Sequence, residues 1–280
     1  MLRTSSARVL GTDDLDDVRA LLATDPLADV FVAARIEAAG LDPWRSGAEV
    51  WGYGDRGRLE SLCWSGANLV PVRAGRDAVR AFADRARKQG RRCSSIVGAS
   101  ESVDPLWEAL RPHWGRARDV RGGQPLMSIE GPSLVVPDPA VRLVRPDELD
   151  VLVPACVAMF TEEIGVSPLV GDGGSLYRAR VRELVEQGRA FARIEDGAVL
   201  FKAEIGAATR DVCQVQGVWV HPTLRGRHMS VAGTAAAVGL AQAHVAPVVS
   251  LYVNDYNTAA RRAYERVGFR QVGTFTSVLF

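Results

Sequence analysis

Residues 214–231 constrain the fold more than any other part of the chain, because they combine the features of a strand, its end and the connection that follows. They read QVQGVWVHPTLRGRHMSV. Residues 215–220 are rich in β-branched and aromatic side chains, which favours a buried strand. His221-Pro222 ends that strand, because proline has no N–H for a sheet ladder.

The second part of this segment is typical of an anion-binding turn. Arg225-Gly226-Arg227 forms a basic turn, and Ser230 opens a predicted helix of small residues at 231–244. A helix N-terminus exposes unpaired amides and carries a partial positive charge. The segment therefore predicts a strand, a turn and a helix that together hold an anion.

The composition allows two globular domains and excludes several classes of protein. The 280 residues are 47% hydrophobic and 24% charged, with a formal net charge of +1. This balance predicts buried cores and gives no reason to expect nucleic acid as a partner. No membrane-length apolar run occurs, so no membrane association is expected. The four cysteines lack a C-x-x-C spacing, which predicts no metal site, no disulfides and a cytoplasmic protein.

The order of predicted elements repeats along the chain. Helices are expected where apolar residues recur with helical spacing, at 76–89, 104–110, 147–160, 176–187 and 258–267. Strands are expected at 49–53, 59–72, 190–195, 198–205, 248–253 and 269–280, with Asp196-Gly197 as a hairpin turn. Pro154 is expected to kink or end its helix. The repeated order predicts two α/β domains with mixed sheets.

The segment with prolines at 132, 137 and 139 is the predicted linker. It divides the chain into a first domain at 1–131, a linker at 132–139 and a second domain at 140–280.

A second segment, residues 251–269, reads LYVNDYNTAARRAYERVGF. Asn257 is placed to cap the helix that follows, and Gly268 to close it. Tyr264 lies two helical turns after Asn257, on nearly the same face. Taken alone, Tyr264 is better interpreted as a half-buried aromatic residue whose hydroxyl has a partner than as a functional residue.

These two segments together resemble the signatures of the Gcn5-related N-acetyltransferase (GNAT) superfamily. The pyrophosphate motif of that family, R/Q-x-x-G-x-G/A, aligns with Arg225 to Ser230, and the family's asparagine, tyrosine and G-F follow at 257, 264 and 268–269. The resemblance covers the second half, from Val141 to Phe280. It implies two tandem GNAT-like domains, of which the second carries an acyl-CoA site.

The layout is also similar to that of tandem acetyltransferases such as mycothiol synthase, in which one repeat is degenerate, and of actinobacterial acetyltransferases with a divergent N-terminal domain. The first half has no basic turn at residues 93–104. The resemblance therefore implies a non-catalytic first domain.

The resemblance implies a role for each matching residue. Acetyl-CoA would lie in a gap between two separating strands, 215–220 and 248–253, and the backbone along the first strand would pair with its pantetheine arm at Val218, Trp219 and Val220. The turn amides would hold the pyrophosphate at Arg225, Gly226, Arg227, His228, Met229, Ser230 and Val231. Asn257 would bind the pantetheine or the acyl region, and Tyr264 would be the general acid that protonates the departing thiolate.

His228 departs from the family pattern, because it stands where the motif has its first glycine. An ordinary helical φ at this position would make the substitution tolerable, whereas otherwise its Cβ would crowd the anion. A histidine side chain could instead donate to phosphate. Ser230, at the second glycine, is small enough to be harmless.

Glu204 is the candidate general base, because it is a charge within an apolar strand. Strand alternation places it on the same face as Lys202, so it is equally a candidate ion-pair partner. His221 competes for the role of base, or is a turn residue. Gln214 and Gln216, which alternate on one face of the strand, line an acceptor cleft or pair with neighbours. Glu162 and Glu163 attract an amine or end a helix.

The predicted function is acetyl-CoA-dependent transfer of an acetyl group to a primary amine, by direct attack. The alternatives are a non-catalytic acyl-CoA-binding or regulatory module, and a scaffold that binds no ligand. The expected partners are acetyl-CoA and an amine acceptor, without a metal.

Overall fold

A computed structural model describes residues 6–170 and 173–280. Its α-helices are α1 (Leu15–Leu22), α2 (Pro26–Ala39), α3 (Pro43–Ser46), α4 (Arg76–Gln89), α5 (Ser100–Trp114), α6 (Leu149–Ile164), α7 (Ser175–Glu186), α8 (Met229–His244) and α9 (Thr258–Val267). Its strands are β1 (Arg8–Val9), β2 (Glu49–Asp55), β3 (Arg58–Ser65), β4 (Asn68–Val72), β5 (Ser95–Ala99), β6 (Asp119–Glu130), β7 (Arg142–Leu143), β8 (Ala190–Glu195), β9 (Ala198–Ala208), β10 (Val212–Val220), β11 (Val248–Tyr252) and β12 (Arg270–Leu279).

The chain forms two compact units, each built from more than one segment. The first unit contains the described residues up to Leu126, together with Tyr252–Tyr256 and Gln271–Phe280. The second unit contains Met127–Leu251 and Asn257–Arg270. The predicted division at residues 132–139 differs from these units at the two C-terminal segments, and it stays a prediction.

The sheet of the first unit contains strands in the order β1-β2-β3-β4-β5-β12. Neighbours are antiparallel except β4 and β5, which are parallel and pair at Asn68↔Ser95 and Leu69↔Ile96. The helix α4 connects these two parallel strands. The last strand, β12, pairs along the whole of β5, from Phe275↔Ala99 to Leu279↔Ser95.

The second unit repeats this pattern with strands in the order β7-β8-β9-β10-β11. Only β10 and β11 are parallel, and α8 connects them. Phe201 of β9 lies against Gly233 of α8, whereas the next residue, Lys202, reaches Cys156 of α6. Because successive strand residues point to opposite faces, α6 and α8 cover opposite faces of this sheet. The fold class is therefore α/β with mixed sheets, as predicted.

Both units keep the same ion pair near their first strand. Arg8 contacts both carboxylate oxygens of Asp14, and Arg142 contacts both of Glu148, each six residues further on. The hydrogen bonds from the arginines lower the pKa of each carboxyl to about 2. A shared detail of this kind agrees with the repeat seen in the order of elements.

Several predicted elements differ from the observed ones. The predicted strand at 59–72 is two antiparallel strands, β3 and β4. The predicted helix at 104–110 is the longer α5. Pro154 neither ends nor breaks α6, which continues to Ile164 around buried Leu152, Ala155 and Cys156. The burial of this face outweighs the hydrogen bond that proline removes.

All four cysteines are buried and free. In the part of the chain that the structure describes, no helix is long and apolar enough to cross a membrane.

Candidate active site

The strands β10 and β11 are paired at one end only. Parallel pairs run from Val212↔Val248 to Gln214↔Ser250. Beyond them β10 continues to Val220, whereas β11 ends at Tyr252. The backbone from Val215 onward therefore has no partner on β11, and this is the stretch that the resemblance places beside a pantetheine arm.

A β-bulge lies where this unpaired stretch begins. Gln216 pairs with Glu204 and Trp219 with Lys202, so two residues of β10 face one residue of β9. Gly217, in the bulge, has a φ of +60°. A Cβ on Gly217 would lie 2.9 Å from Met159 Cε and 3.1 Å from both Glu204 Cδ and Lys202 Nζ. Only glycine fits there without displacing these side chains.

Gly217 was not among the predicted site residues. The signal was present, because an isolated glycine inside a run of strand-forming residues indicates a bulge or a close approach of other atoms.

The turn before α8 presents free amides. Within the described residues, the amides of Gly226, His228, Met229 and Ser230 have no hydrogen-bond acceptor. Three of the amides that the resemblance assigns to an anion already have backbone acceptors: Arg225 bonds Pro222 O, Arg227 bonds Leu224 O and Val231 bonds His228 O. Fewer amides are thus available to an anion than the resemblance implies, and most of these lie at the N-terminus of α8.

His228 adopts the left-handed conformation, with φ +61° and ψ 9°. The ordinary helical φ that would make the substitution tolerable is therefore absent. A residue with a Cβ pays about 1 kcal/mol or more for this conformation, which glycine adopts freely. The side chain turns toward α9, where Arg266 Nη1 lies 3.4 Å from His228 Nδ1. Arg266 thus lies beside the residue that precedes α8.

Glu204 is held in a buried polar network rather than in solvent. Its Oε2 accepts from Lys202 Nζ at 2.8 Å, and its Oε1 accepts from Gln216 Nε2 at 3.0 Å. Lys202 is only 1% exposed and Glu204 8%. Lys202 Nζ also lies 3.3 Å from the buried thiol of Cys156. The structure thus shows the ion pair that the sequence left as the alternative to a general base.

Lys202 stays protonated although it is buried. Desolvation alone would lower the pKa of the ammonium, but the charge of Glu204 and the neighbouring Cys156 raise it above its usual value. Lys202 is therefore a fixed cation beneath the bulge.

Asn257 and Tyr264 are placed by α9. Asn257 Oδ1 accepts from Ala260 N at 3.2 Å, which is the predicted helix cap. Tyr264 is buried, and its ring meets the edge of Phe269 at a centroid distance of 5.9 Å. Burial, followed by the charge of Glu163, raises its pKa, so the phenol stays protonated. Its hydroxyl makes no hydrogen bond to another described residue, and its oxygen is not among the fully enclosed polar atoms that lack a partner.

Hydrogen bonds connect the end of β10 and the turn after it to α6. Glu162 accepts from Trp219 Nε1 at 3.3 Å and from Arg225 Nη2 at 2.7 Å, and Arg225 Nε donates to Val220 O. The guanidinium of Arg225 is thus used to fix the turn. His221 caps the short 3-10 helix that follows β10, through Thr223, so it occupies the turn role that the sequence offered as an alternative.

Comparison with known proteins agrees with this geometry. Residues 176–269 match the model described as the acetyltransferase (GNAT) family, and residues 48–152 match a domain of unknown function, DUF4081. None of the curated proteins compared with the chain matches it.

Solved structures match the chain over nearly its whole length. A GCN5-related N-acetyltransferase from Sphaerobacter thermophilus is 18% identical with a TM-score of 0.59, over 99% of this chain and 95% of that chain. A tandem GNAT protein from the clavulanic acid biosynthesis pathway is 16% identical with a TM-score of 0.55, over 98% of both chains. An acetyltransferase of the GNAT family from Colwellia psychrerythraea is 12% identical with a TM-score of 0.55, over 98% of this chain and 99% of that chain. At these identities the likeness shows the fold.

The chain therefore carries a GNAT acetyltransferase domain, preceded by a divergent domain in a tandem arrangement. That family fold supports acetyl transfer from acetyl-CoA.

Proposed function

We propose that the protein is an N-acetyltransferase that moves the acetyl group of acetyl-CoA to a primary amine. The observation that carries this proposal is the separation of β10 from β11 beside the free amides at the N-terminus of α8. An extended thioester with a pyrophosphate at its far end needs both an unpaired strand and an anion site, in this order along the chain.

Each element has a part in the binding of acetyl-CoA. The backbone of Val218, Trp219 and Val220 pairs with the pantetheine arm. The pyrophosphate lies at the free amides of Gly226, His228, Met229 and Ser230. Asn257 uses its side-chain oxygen to cap α9, so its side-chain NH2 group is available to the pantetheine.

Tyr264 is the proposed general acid. The amine nitrogen attacks the carbonyl carbon, the C–S bond breaks, and the thiolate takes the phenolic proton of Tyr264. A raised pKa keeps Tyr264 protonated until the thiolate forms. The hydroxyl makes no hydrogen bond to another described residue, so it is free to approach the sulfur of the cofactor.

Glu204 is less well placed as the general base than its sequence context implies. Both carboxylate oxygens already accept hydrogen bonds, from Lys202 and from Gln216. The carboxylate keeps free lone pairs, but its position between Lys202 and Gln216, only 8% exposed, leaves little access for an amine. We propose that the proton leaves through water in the opening, and that Glu204 acts through its charge.

The first unit is proposed to bind no cofactor. Its own parallel strands also pair at one end only, at Asn68↔Ser95 and Leu69↔Ile96. Beyond these pairs they stay close, because Pro71 O lies 3.5 Å from the Cβ position of Gly98. Pro71 also has no N–H to offer a pantetheine arm. The connection that corresponds to the turn before α8 is Arg73 to Gly75, so the expected equivalence with residues 93–104 was wrong. The amides of Ala74 and Gly75 are already bonded.

The alternative, a non-catalytic acyl-CoA-binding module, is favoured by two observations. His228 occupies a left-handed conformation, and Glu204 is paired with Lys202. The pairing of Glu204 would weaken catalysis more than binding, whereas the Cβ of His228 lies at the anion site and would change how the cofactor is held.

One experiment separates these functions. Calorimetric titration with acetyl-CoA is followed by thiol release in the presence of spermidine, an aminosugar and a lysine-containing peptide. Binding with thiol release supports the transferase, and binding without release against every amine supports the module. The absence of binding excludes both.

A further inference from the structure

The ion pair of Lys202 and Glu204 is not explained by stability. A pair that is 1% and 8% exposed has lost most of its hydration. Apolar residues of similar volume usually stabilise such a position as well or better. A second reason for keeping two opposite charges there must come from their surroundings.

The pair lies against the bulge of β10 and runs along the strand. Glu204 stands opposite Gln216, before the bulge, and Lys202 stands opposite Trp219, after it. The Cβ position of Gly217 is 3.1 Å from each of the two charged groups. Because Gly217 has no side chain, both charges approach the bulged backbone directly. By register, Lys202 lies on the side of the turn before α8 and Glu204 on the other side, so the two charges form a fixed dipole beside the bulge.

This direction matches the charges that form during the proposed reaction, and the inference rests on that function. The thioester lies along the strand on the Trp219 side, toward the pyrophosphate. The amine then approaches from the Gln216 side. When the new N–C bond forms, the carbonyl oxygen becomes negative and the nitrogen becomes positive. The C–S bond then breaks, and the ion pair itself is unchanged.

We propose that Lys202 and Glu204 are positioning residues that stabilise this charge pair across the backbone of the bulge. Lys202 favours the negative oxygen, and Glu204 favours the positive nitrogen. Gln216 donates to Glu204 and keeps the carboxylate on the acceptor side. A preorganised charge of this kind lowers the barrier without moving during the reaction.

The effect is smaller than that of a direct oxyanion donor. Removal of a direct donor typically costs about a hundredfold to a thousandfold in kcat. Here each charge acts through a layer of backbone and is partly offset by its partner, so a loss of about tenfold is expected.

The test compares the wild type with the double variant Lys202→Met/Glu204→Gln. A single substitution would leave one buried charge unpaired and destabilise the fold. The double variant replaces the pair with neutral side chains of similar volume, and urea unfolding checks that it folds. Should it not fold, Lys202→Met/Glu204→Leu takes its place. Arg178→Met/Asp150→Asn, which neutralises an exposed pair between α7 and α6, is the matched control.

The first readout needs no acceptor. Acetyl-CoA labelled with ¹³C at the carbonyl is bound to each protein, and the C=O stretch is measured by isotope-edited infrared spectroscopy. We expect the band of the double variant at higher wavenumber than those of the wild type and the control. With the amine that gives thiol release, kcat falls about tenfold while KM for acetyl-CoA stays within twofold.

A double variant that folds, with an unchanged band and an unchanged kcat, would show that the pair is structural only and overturn this inference. Failure of the wild type to bind acetyl-CoA would instead overturn the proposed function, so the two failures are distinguishable.

Discussion

Asp29 is expected to make the unfolding free energy of the first unit depend on pH. It lies in the first turn of α2, is 7% exposed, and its Oδ2 has no hydrogen-bond partner. Burial, followed by the charge of Asp25, raises its pKa from 3.8 to about 7, although Arg73 opposes this. The folded state therefore binds the proton of Asp29 more tightly than the unfolded state does.

The sign of the effect follows from this difference. The stabilisation that protonated Asp29 contributes is fully present below pH 3.8, and it is lost as the pH rises through about 7. At 1.36 kcal/mol for each pH unit between the two pKa values, the loss reaches about 4 kcal/mol above pH 8. The opposite trends of Asp14 and Glu148, whose pKa values are about 2, are confined to lower pH.

Asp29→Asn removes the titration and should stabilise the protein by less than about 2 kcal/mol at pH 5 and about 4 kcal/mol at pH 8. Urea unfolding at pH 5, 6, 7 and 8 measures this, with the fluorescence of Trp51 and Trp64 as the probe of the first unit's core. Asp16→Asn, at a fully exposed carboxylate, is the control and should show no such trend. An equal gain at pH 5 and pH 8 would refute the reasoning, because it would point to packing rather than ionisation.

Three further substitutions test the second unit. Gly217→Ala should lower the free energy of unfolding by about 2–3 kcal/mol and abolish acetyl-CoA binding in calorimetry. The new Cβ would meet three side chains, and the positive φ disfavours alanine. Gly239→Ala, in open space on α8, is the control and should neither destabilise the protein nor abolish binding. Tyr264→Phe should lower thiol release at least a hundredfold and change the Kd of acetyl-CoA less than twofold; equal losses in both would contradict its role as acid. His228→Gly should raise the free energy of unfolding by about 1 kcal/mol, measured by thermal unfolding, because glycine adopts the left-handed conformation without strain. His228→Ala, which keeps a Cβ, should gain nothing, and an equal gain would argue against strain.

Local signals in the sequence were enough for much of the fold. Helices predicted at 76–89 and 258–267 match α4 and α9, since each is amphipathic and ends at a glycine. Asp196-Gly197 joins β8 to β9 as predicted, because both residues take positive φ. These features depend on a few neighbouring residues, which the sequence shows directly.

The site was predicted less completely, because its geometry comes from contacts between strands. Alternation placed Glu204 and Lys202 on one face, but could not show whether that face is buried. The bulge at Gly217 changes the register between β9 and β10, so the partners of both charges depend on a non-local event. The left-handed φ of His228 likewise follows from the path of the turn, which the motif alone does not determine.

The pairing of β12 with β5 has a consequence for how the protein is made. The partner of Ser95 is Leu279, so the first unit lacks a strand until the second unit has been synthesised. At about 5–20 residues per second, the ribosome leaves β5 as an open sheet edge for roughly 10 to 35 seconds. Such an edge invites pairing with other chains, and β12 closes it. A nascent chain that stops before residue 270 would keep this edge exposed, and cellular quality control could recognise it as unfinished.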